Sequence, residues 1–179
     1  MKQIKGKKPL ILLCVLVIIV AVYIKSCSYV PINGTVVDVE TKLPIEGAVV
    51  LAEWTVGKGL PGLSYTDIYK VVETMTDKNG RFTVDAYVFR PFINKPQLTI
   101  YKAGYVCWNN EFIFPGFKHR TDFIWERNRI YAMERFSPKY SLLDHVSFIR
   151  HFVTSSTQLF EKAYRWEEIM EQRELSGTR

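Results

Sequence analysis

Residues 9–24 form an uncharged apolar run, Pro-Leu-Ile-Leu-Leu-Cys-Val-Leu-Val-Ile-Ile-Val-Ala-Val-Tyr-Ile, with Lys2, Lys5, Lys7 and Lys8 before it and Lys25 after it. No other segment limits the chain as strongly, because a helix apolar on every face has no place on a solvated surface. As a helix, the run of 16 residues spans ~24 Å at ~1.5 Å per residue. That is a little short of the ~30 Å hydrocarbon core. Lys8 and Lys25 can snorkel to the two interfaces and close the gap. The leading lysines predict a cytoplasmic N-terminus. The expectation is a basic cytoplasmic segment over 1–8, a membrane anchor or signal segment over 9–28, and everything beyond residue 30 on the extracytoplasmic, periplasmic side.

An uncleaved single span is the first reading of this segment. A lipoprotein is the second: Ile24-Lys25-Ser26-Cys27 resembles a lipobox that would lipidate Cys27, although a small or apolar residue is usual where Lys25 stands. Cleavage to a secreted soluble protein is the third, without an A-x-A site to support it.

The chain's formal charge of +6 invites a nucleic-acid reading, and its distribution argues against one. Five of the 24 basic residues flank the apolar run, and the other 19 face all 18 acidic residues, a net of +1. A nucleic-acid domain shows a basic patch or stripe, so no nucleic-acid partner is expected. Of the three cysteines, Cys14 lies in the anchor and Cys27 beside it. Cys107 alone remains in the body, which excludes a disulfide scaffold and suits a small buried hydrophobe.

From Ile32 the pattern becomes short β-type runs separated by turn residues. Strands are expected over 33–39, 48–54, 71–76, 81–87, 97–102 and 129–136. Residues 77–80, Asp-Lys-Asn-Gly, read as a hairpin of the primed type with positive φ at both Asn79 and Gly80. Gly57, Gly59, Pro61 and Gly62 break helix and ladder alike, so 56–67 is expected to be a long mobile loop. Short strands punctuated in this way argue for an antiparallel sandwich.

Four segments recur in a known order: Gly34-Thr35-Val36-Val37-Asp38, Leu43-Pro44-Ile45-Glu46-Gly47-Ala48-Val49-Val50, Thr76-Asp77-Lys78-Asn79-Gly80-Arg81-Phe82, and Lys102-Ala103-Gly104-Tyr105. Together they resemble the carboxypeptidase regulatory-like domain family, a transthyretin-like sandwich found beside metallocarboxypeptidases and in bacterial envelope proteins. The resemblance covers about residues 31–110, with 129–136 as a candidate last strand. It implies a seven-stranded prealbumin-like β-sandwich over 30–137 that folds, stabilises or binds, and it does not imply catalysis.

The residues themselves carry little chemistry. His119, His145 and His151 form no His-x-x-Glu or His-Glu-x-x-His set, and His145 and His151 fall on different faces of a helix. No nucleophile elbow occurs. No catalytic residue, metal site or cofactor is expected. The segment 105–125 concentrates aromatics, with Asn109, Asn110, His119, Arg120 and Asp122 among them. Tyr105, Trp108, Phe117 and Trp125 are the candidate ligand surface for a glycan or peptide, and the competing role is to plug the end of the core.

Beyond Pro138 the period becomes helical, with Leu142, Val146, Ile149, Val153, Phe160, Ala163 and Met170 at three-to-four spacing. Residues 138–179 are expected to be an amphipathic tail, started by Ser141 and Asp144 in a capping-box arrangement and divided near 154–157. Packing on the chain's own sandwich, through Phe152 and Phe160, competes with docking on a partner. The overall expectation is a non-catalytic, membrane-anchored cell-envelope protein with a structural or binding role toward an envelope protein or glycan. The alternative is a lipoprotein-type carbohydrate- or peptide-binding module using 105–125.

Overall fold

The computed structural model describes residues 11, 13–18, 31–60, 62–85, 95–152 and 157–177. Residues 13–18 are helical. Among the described residues no helix is long and apolar enough to cross a membrane. Most of the run at 9–24, and Cys27, lie outside the described residues.

The body is mainly β. In chain order the strands are β1 (Ile32–Asp38), β2 (Val49–Leu60), β3 (Leu63–Met75), β4 (Arg81–Val84), β5 (Gln97–Tyr101), β6 (Trp108–Asn109), β7 (Phe112–Ile113), β8 (Lys118–His119) and β9 (Arg129–Met133). Helices α1 (Leu142–Arg150) and α2 (Leu159–Gly177) follow. One sheet has the order β4-β1-β9, a second β3-β2-β5-β6, and β7 pairs with β8 in a small hairpin.

The all-antiparallel expectation needs correcting at one pair: β1 and β9 run parallel, from Gly34 opposite Arg129 to Asp38 opposite Met133. β6, antiparallel to β5, already runs toward the end of the sandwich where β1 begins, and residues 110–128 connect it to the other sheet, so β9 enters in the same direction as β1. Parallel neighbours need such a crossover.

Alternation places the core. Gly34, Val36 and Asp38 on β1, Phe82 and Val84 on β4, and Tyr131 and Met133 on β9 all turn inward and are buried. They meet Ala48, Val50, Ala52, Trp54, Leu98 and Ile100 from the facing sheet. Gly34 has a packing reason: a Cβ there would lie 2.6 Å from the Arg129 carbonyl oxygen and against the Tyr131 ring.

The turn at Asp77–Gly80 is not of the primed type. Gly80 has φ +70°, but Asn79 is absent from the residues with positive φ. Gly80 N–H donates to the Asp77 carbonyl at 2.8 Å, and Asp77 N–H to the Arg81 carbonyl at 2.9 Å. This is a β-turn completed by one left-handed glycine, the three-residue hairpin form. Asp77 Oδ1 organises it by accepting from Asn79 and Arg81 N–H, both at 2.8 Å.

The expected loop over 56–67 is instead a β-arm. β2 and β3 stay paired out to Leu60 opposite Leu63, with a register shift at Trp54/Thr55. Of the glycines that read as breakers, Gly59 stays in the ladder opposite Ser64 and Gly62 stands beside Leu63 at the reversal, with φ +107° and +87°.

The tail lies on the outer face of the four-stranded sheet. Val49, Leu51 and Tyr101 point away from the sandwich core and pack with Phe148, Ile149, Phe152, Phe160 and Tyr164. Ser141 Oγ accepts from Asp144 N–H at 3.2 Å at the start of α1. The start of α2 is capped across the fold: the Glu73 carboxylate on β3 accepts from the N–H groups of Gln158, Leu159 and Phe160 at 2.8–3.0 Å, satisfying otherwise orphaned donors.

Candidate functional site

The segment 105–125 does not form one surface. Trp108 stands edge-on to Tyr131 (5.0 Å between centroids) and to Phe123 (5.5 Å), and Phe123 to Trp125 (4.8 Å). Tyr105, Trp108, Phe123 and Trp125 all pack against the inter-sheet core. Phe117 belongs elsewhere: it contacts Phe148 (5.0 Å) and His151 (5.3 Å) on α1.

The ring faces of the Trp108 group are covered by guanidinium groups. Arg120 lies 4.8 Å from the Trp108 centroid and Arg129 5.1 Å from that of Phe123. Arg120 Nε donates to the Asn109 carbonyl at 2.7 Å, and burial lowers its pKa. Cation–π contacts of this kind stabilise a plug from outside.

The neighbouring amides are consumed internally. Asn109 Nδ2 donates to Thr99 Oγ1 at 2.9 Å, while its Oδ1 accepts from Glu111 and Phe112 N–H at 2.8 and 2.9 Å. Asn110 Oδ1 accepts from Leu98 N–H at 2.7 Å and its Nδ2 donates to the Pro96 carbonyl at 3.3 Å. A ligand would have to break these bonds to use either amide.

Two shallow clefts flank the segment. One of about 340 Å³ is lined by Phe114, Pro115, Gly116, Phe117, Asp144 and Ser147. Another of about 300 Å³ is lined by Glu53, Thr55, Lys95, Gln97 and Glu111. In the second, Glu53 Oε2 is buried without a hydrogen-bond partner, and burial raises the Glu53 pKa.

Among the described residues, a chemically suggestive constellation lies beneath the tail, and spacing did not bring its members together. Cys107 N–H donates to His145 Nε2 at 2.9 Å. That leaves the imidazole proton on Nδ1, which meets Glu167 Oε2 at 2.8 Å. Tyr101 OH donates to the other oxygen, Oε1, at 2.8 Å. His145 and Tyr101 are fully buried and Glu167 is 2% exposed. Burial, then the Glu167 carboxylate, pushes the Tyr101 hydroxyl far above its ordinary value of 10.0, and the same two causes raise the Cys107 thiol.

Cysteine, histidine and glutamate are the types of a nucleophilic triad. Here both ring nitrogens are already bonded, and Cys107 contributes its backbone N–H. The arrangement joins α1, α2, β5 and the residue before β6, and its chemistry is that of a fastening. Sequence carried one usable signal: Phe160, Tyr164, Glu167 and Glu171 fall on one helical stripe, and a carboxylate inside an apolar stripe requires a buried partner.

A second polar tie closes the opposite margin. Asp38 accepts from Glu40 and Thr41 N–H (both 2.9 Å) on one oxygen, and from Arg135 Nε (2.7 Å) and Tyr105 OH (3.1 Å) on the other. The Thr41 N–H, the Arg135 guanidinium and the Glu40 N–H hold its carboxyl well below the ordinary 3.8. Tyr105 therefore serves this tie.

Among the described residues, no three His, Cys, Asp or Glu side chains gather as a metal-binding group. Compared with models of known protein families and with curated proteins, the chain matches none.

Proposed function

We propose that this chain is a non-catalytic, membrane-anchored cell-envelope protein whose extracytoplasmic sandwich presents surfaces to an envelope partner. In this reading the body is a prealbumin-like sandwich of the carboxypeptidase regulatory-like kind. The two main sheets, of three and four strands, support that assignment. The anchor is the apolar run 9–24, with its lysine flanks.

The observation that carries the non-catalytic part is the His145–Glu167–Tyr101 constellation, which is sealed from solvent and saturated with internal hydrogen bonds. A triad of those types at a cleft would argue for hydrolysis; beneath a helical layer it argues for a rigid module. The glycan- or peptide-binding alternative on 105–125 draws less support, because Asn109 and Asn110 are occupied and Phe117 stands apart from Trp108 and Trp125.

Two measurements test the reading. Protease added to spheroplasts should digest the chain beyond residue 30, and protection of that region would reverse the orientation. An alkylating thiol probe should leave Cys107 unmodified in the native protein. Rapid stoichiometric labelling of Cys107 would show an open thiol and reinstate an enzymatic role.

A further inference from the structure

The β2–β3 arm ends in an exposed apolar tip. Beyond the register shift at Trp54/Thr55 it carries Leu60, Leu63 and Tyr65 at 71%, 79% and 61% exposure, with Ile68 and Tyr69 behind them also exposed. Its tip is uncharged: between Lys58 and Asp67 no ionisable acid or base occurs other than Tyr65. Lys58 and Asp67 themselves pair at 2.6 Å. An exposed apolar tip on a soluble body marks a contact surface.

The strand registers fix where the arm points. β1 starts at Ile32 opposite Val84 and runs toward Val36, whose N–H bonds the Gly80 carbonyl. Thr76 Oγ1, at the end of β3, donates to the Ile45 carbonyl at that same end, so the 76–80 turn and the start of β2 stand together there. β2 runs back from Val49, opposite Met75, to Glu53, opposite Val71. The arm therefore leaves the sandwich at the end where Ile32 enters it.

We infer that the Leu60–Leu63 tip inserts into the interface of the bilayer that holds the apolar run 9–24, making a second membrane contact. The inference rests on the anchor reading above. Residues 25–31, seven between the apolar run and β1, reach at most ~25 Å at ~3.6 Å each. From Glu53 to Leu60, eight residues, the strand extends ~23 Å at ~3.3 Å per step. A body tethered so closely by that end brings the arm tip to the headgroups. Leucines at the tip with Tyr65 and Tyr69 behind them match the order of the interface, apolar groups deepest and amphipathic rings at headgroup level.

The test uses the full chain reconstituted in phosphatidylcholine vesicles, with the photo-crosslinker p-benzoylphenylalanine in place of Leu63 or, as the control at the opposite end, Lys78. Flotation of the vesicles first reports the anchor. The expected result is co-flotation, with irradiation giving phosphatidylcholine adducts at position 63 and none at 78, read by mass. Co-flotation without lipid adducts at 63 overturns the insertion and leaves the anchor standing. Protein–protein adducts at 63 in place of lipid overturn it in favour of a partner chain. Failure of the chain to float overturns the anchor reading and this inference with it. The pair Leu60→Ser and Leu63→Ser should leave flotation intact and, with the crosslinker in place of Tyr65, abolish lipid adducts. Adducts persisting in that variant would also overturn the proposal.

Discussion

On its inner face the β3-β2-β5-β6 sheet meets Val36, Phe82, Val84, Tyr131 and Met133; on its outer face it meets Phe148, Phe152, Phe160 and Tyr164. Both layers exclude water, but they are specified differently. The inner layer is buried aliphatic and aromatic carbon placed by strand alternation. A register slip there would turn every side chain outward, so no polar bond is needed to fix it. The outer layer is built by helices, which can slide or rotate on an apolar sheet. There the chain buries His145, Glu167 and Tyr101 and joins them by directional bonds. Hydrophobic contact holds the tail down, and the polar set gives it one seat.

The most severe test of that contrast is His145→Leu. It removes the donor to Glu167 and the acceptor of Cys107 N–H together. Breaking a buried pair by removing one partner costs ~3–5 kcal/mol. Chemical denaturation of a fragment beginning at residue 30 should show a loss of that size, with the amides of α1 and α2 losing hydrogen-exchange protection before those of β1 and β9. Uniform loss across both layers would mean that they form one cooperative unit, and the contrast would fall.

The inner layer is probed by Gly80→Val. At φ +70° a branched residue costs ~1–2 kcal/mol. An added Cβ would also run into the Val36 carbonyl oxygen and come within 3.1 Å of Pro44 Cβ. The melting temperature should fall, at roughly 2–4 °C per kcal/mol for a chain of this size, and protection should drop first in β1 and β4. An unchanged melt would mean that the turn opens without cost to the sandwich.

What was legible before the fold follows the same division. Alternation and turn residues located β1, β4, β5 and β9, and the three-to-four period located both helices, because those patterns are local. The arm was missed because Gly57, Gly59 and Gly62 break ladders in general, whereas here Gly57 and Gly59 stay paired, opposite Thr66 and Ser64, and Gly62 stands at the reversal. The polar seat was missed because His145 and Glu167 are 22 residues apart on separate helices. The unbroken apolar run Ala48–Ala52 did carry the information that β2 is covered on both faces. The placement of the candidate ligand residues was not legible for a related reason: a cluster in sequence, Tyr105 to Trp125, is divided between two layers, with Phe117 against α1 and the others against the inner core.

Alkaline titration separates the layers more gently. The Tyr101 hydroxyl is held above its ordinary 10.0, first by burial and then by Glu167. Above pH 10 the unfolded chain releases that proton while the folded chain retains it, so stability is complete below pH 10 and is lost as pH rises beyond it. Tyr101→Phe should cost ~1 kcal/mol at pH 7 through the lost hydrogen bond and should flatten the alkaline loss. Tyr131, an inner-layer residue raised to about 12 by burial, contributes a loss in the same range. An alkaline slope unaltered in Tyr101→Phe would assign the whole effect to the inner layer.

The smallest effect is expected at the Asp38 tie, which lies at the margin of the sandwich and whose Arg135 partner is 58% exposed. The Asp38 carboxyl is depressed below 3.8 by the Thr41 N–H, by Arg135 and by the Glu40 N–H. The sign is therefore opposite to that of Tyr101: the contribution is complete above about pH 4 and is lost as pH falls below it, because the unfolded chain takes up the proton first. Asp38→Asn should reduce stability at pH 7 and lessen its decline between pH 4 and pH 2, measured as the denaturant midpoint. Hydrogen exchange should then show the change confined to residues 38–43 and to Tyr105 and Arg135. If it spread instead into α1 and α2, the margin of the inner layer and the seat of the outer layer would be coupled through the segment from Tyr105 to Cys107, and the two layers could no longer be treated as separately specified.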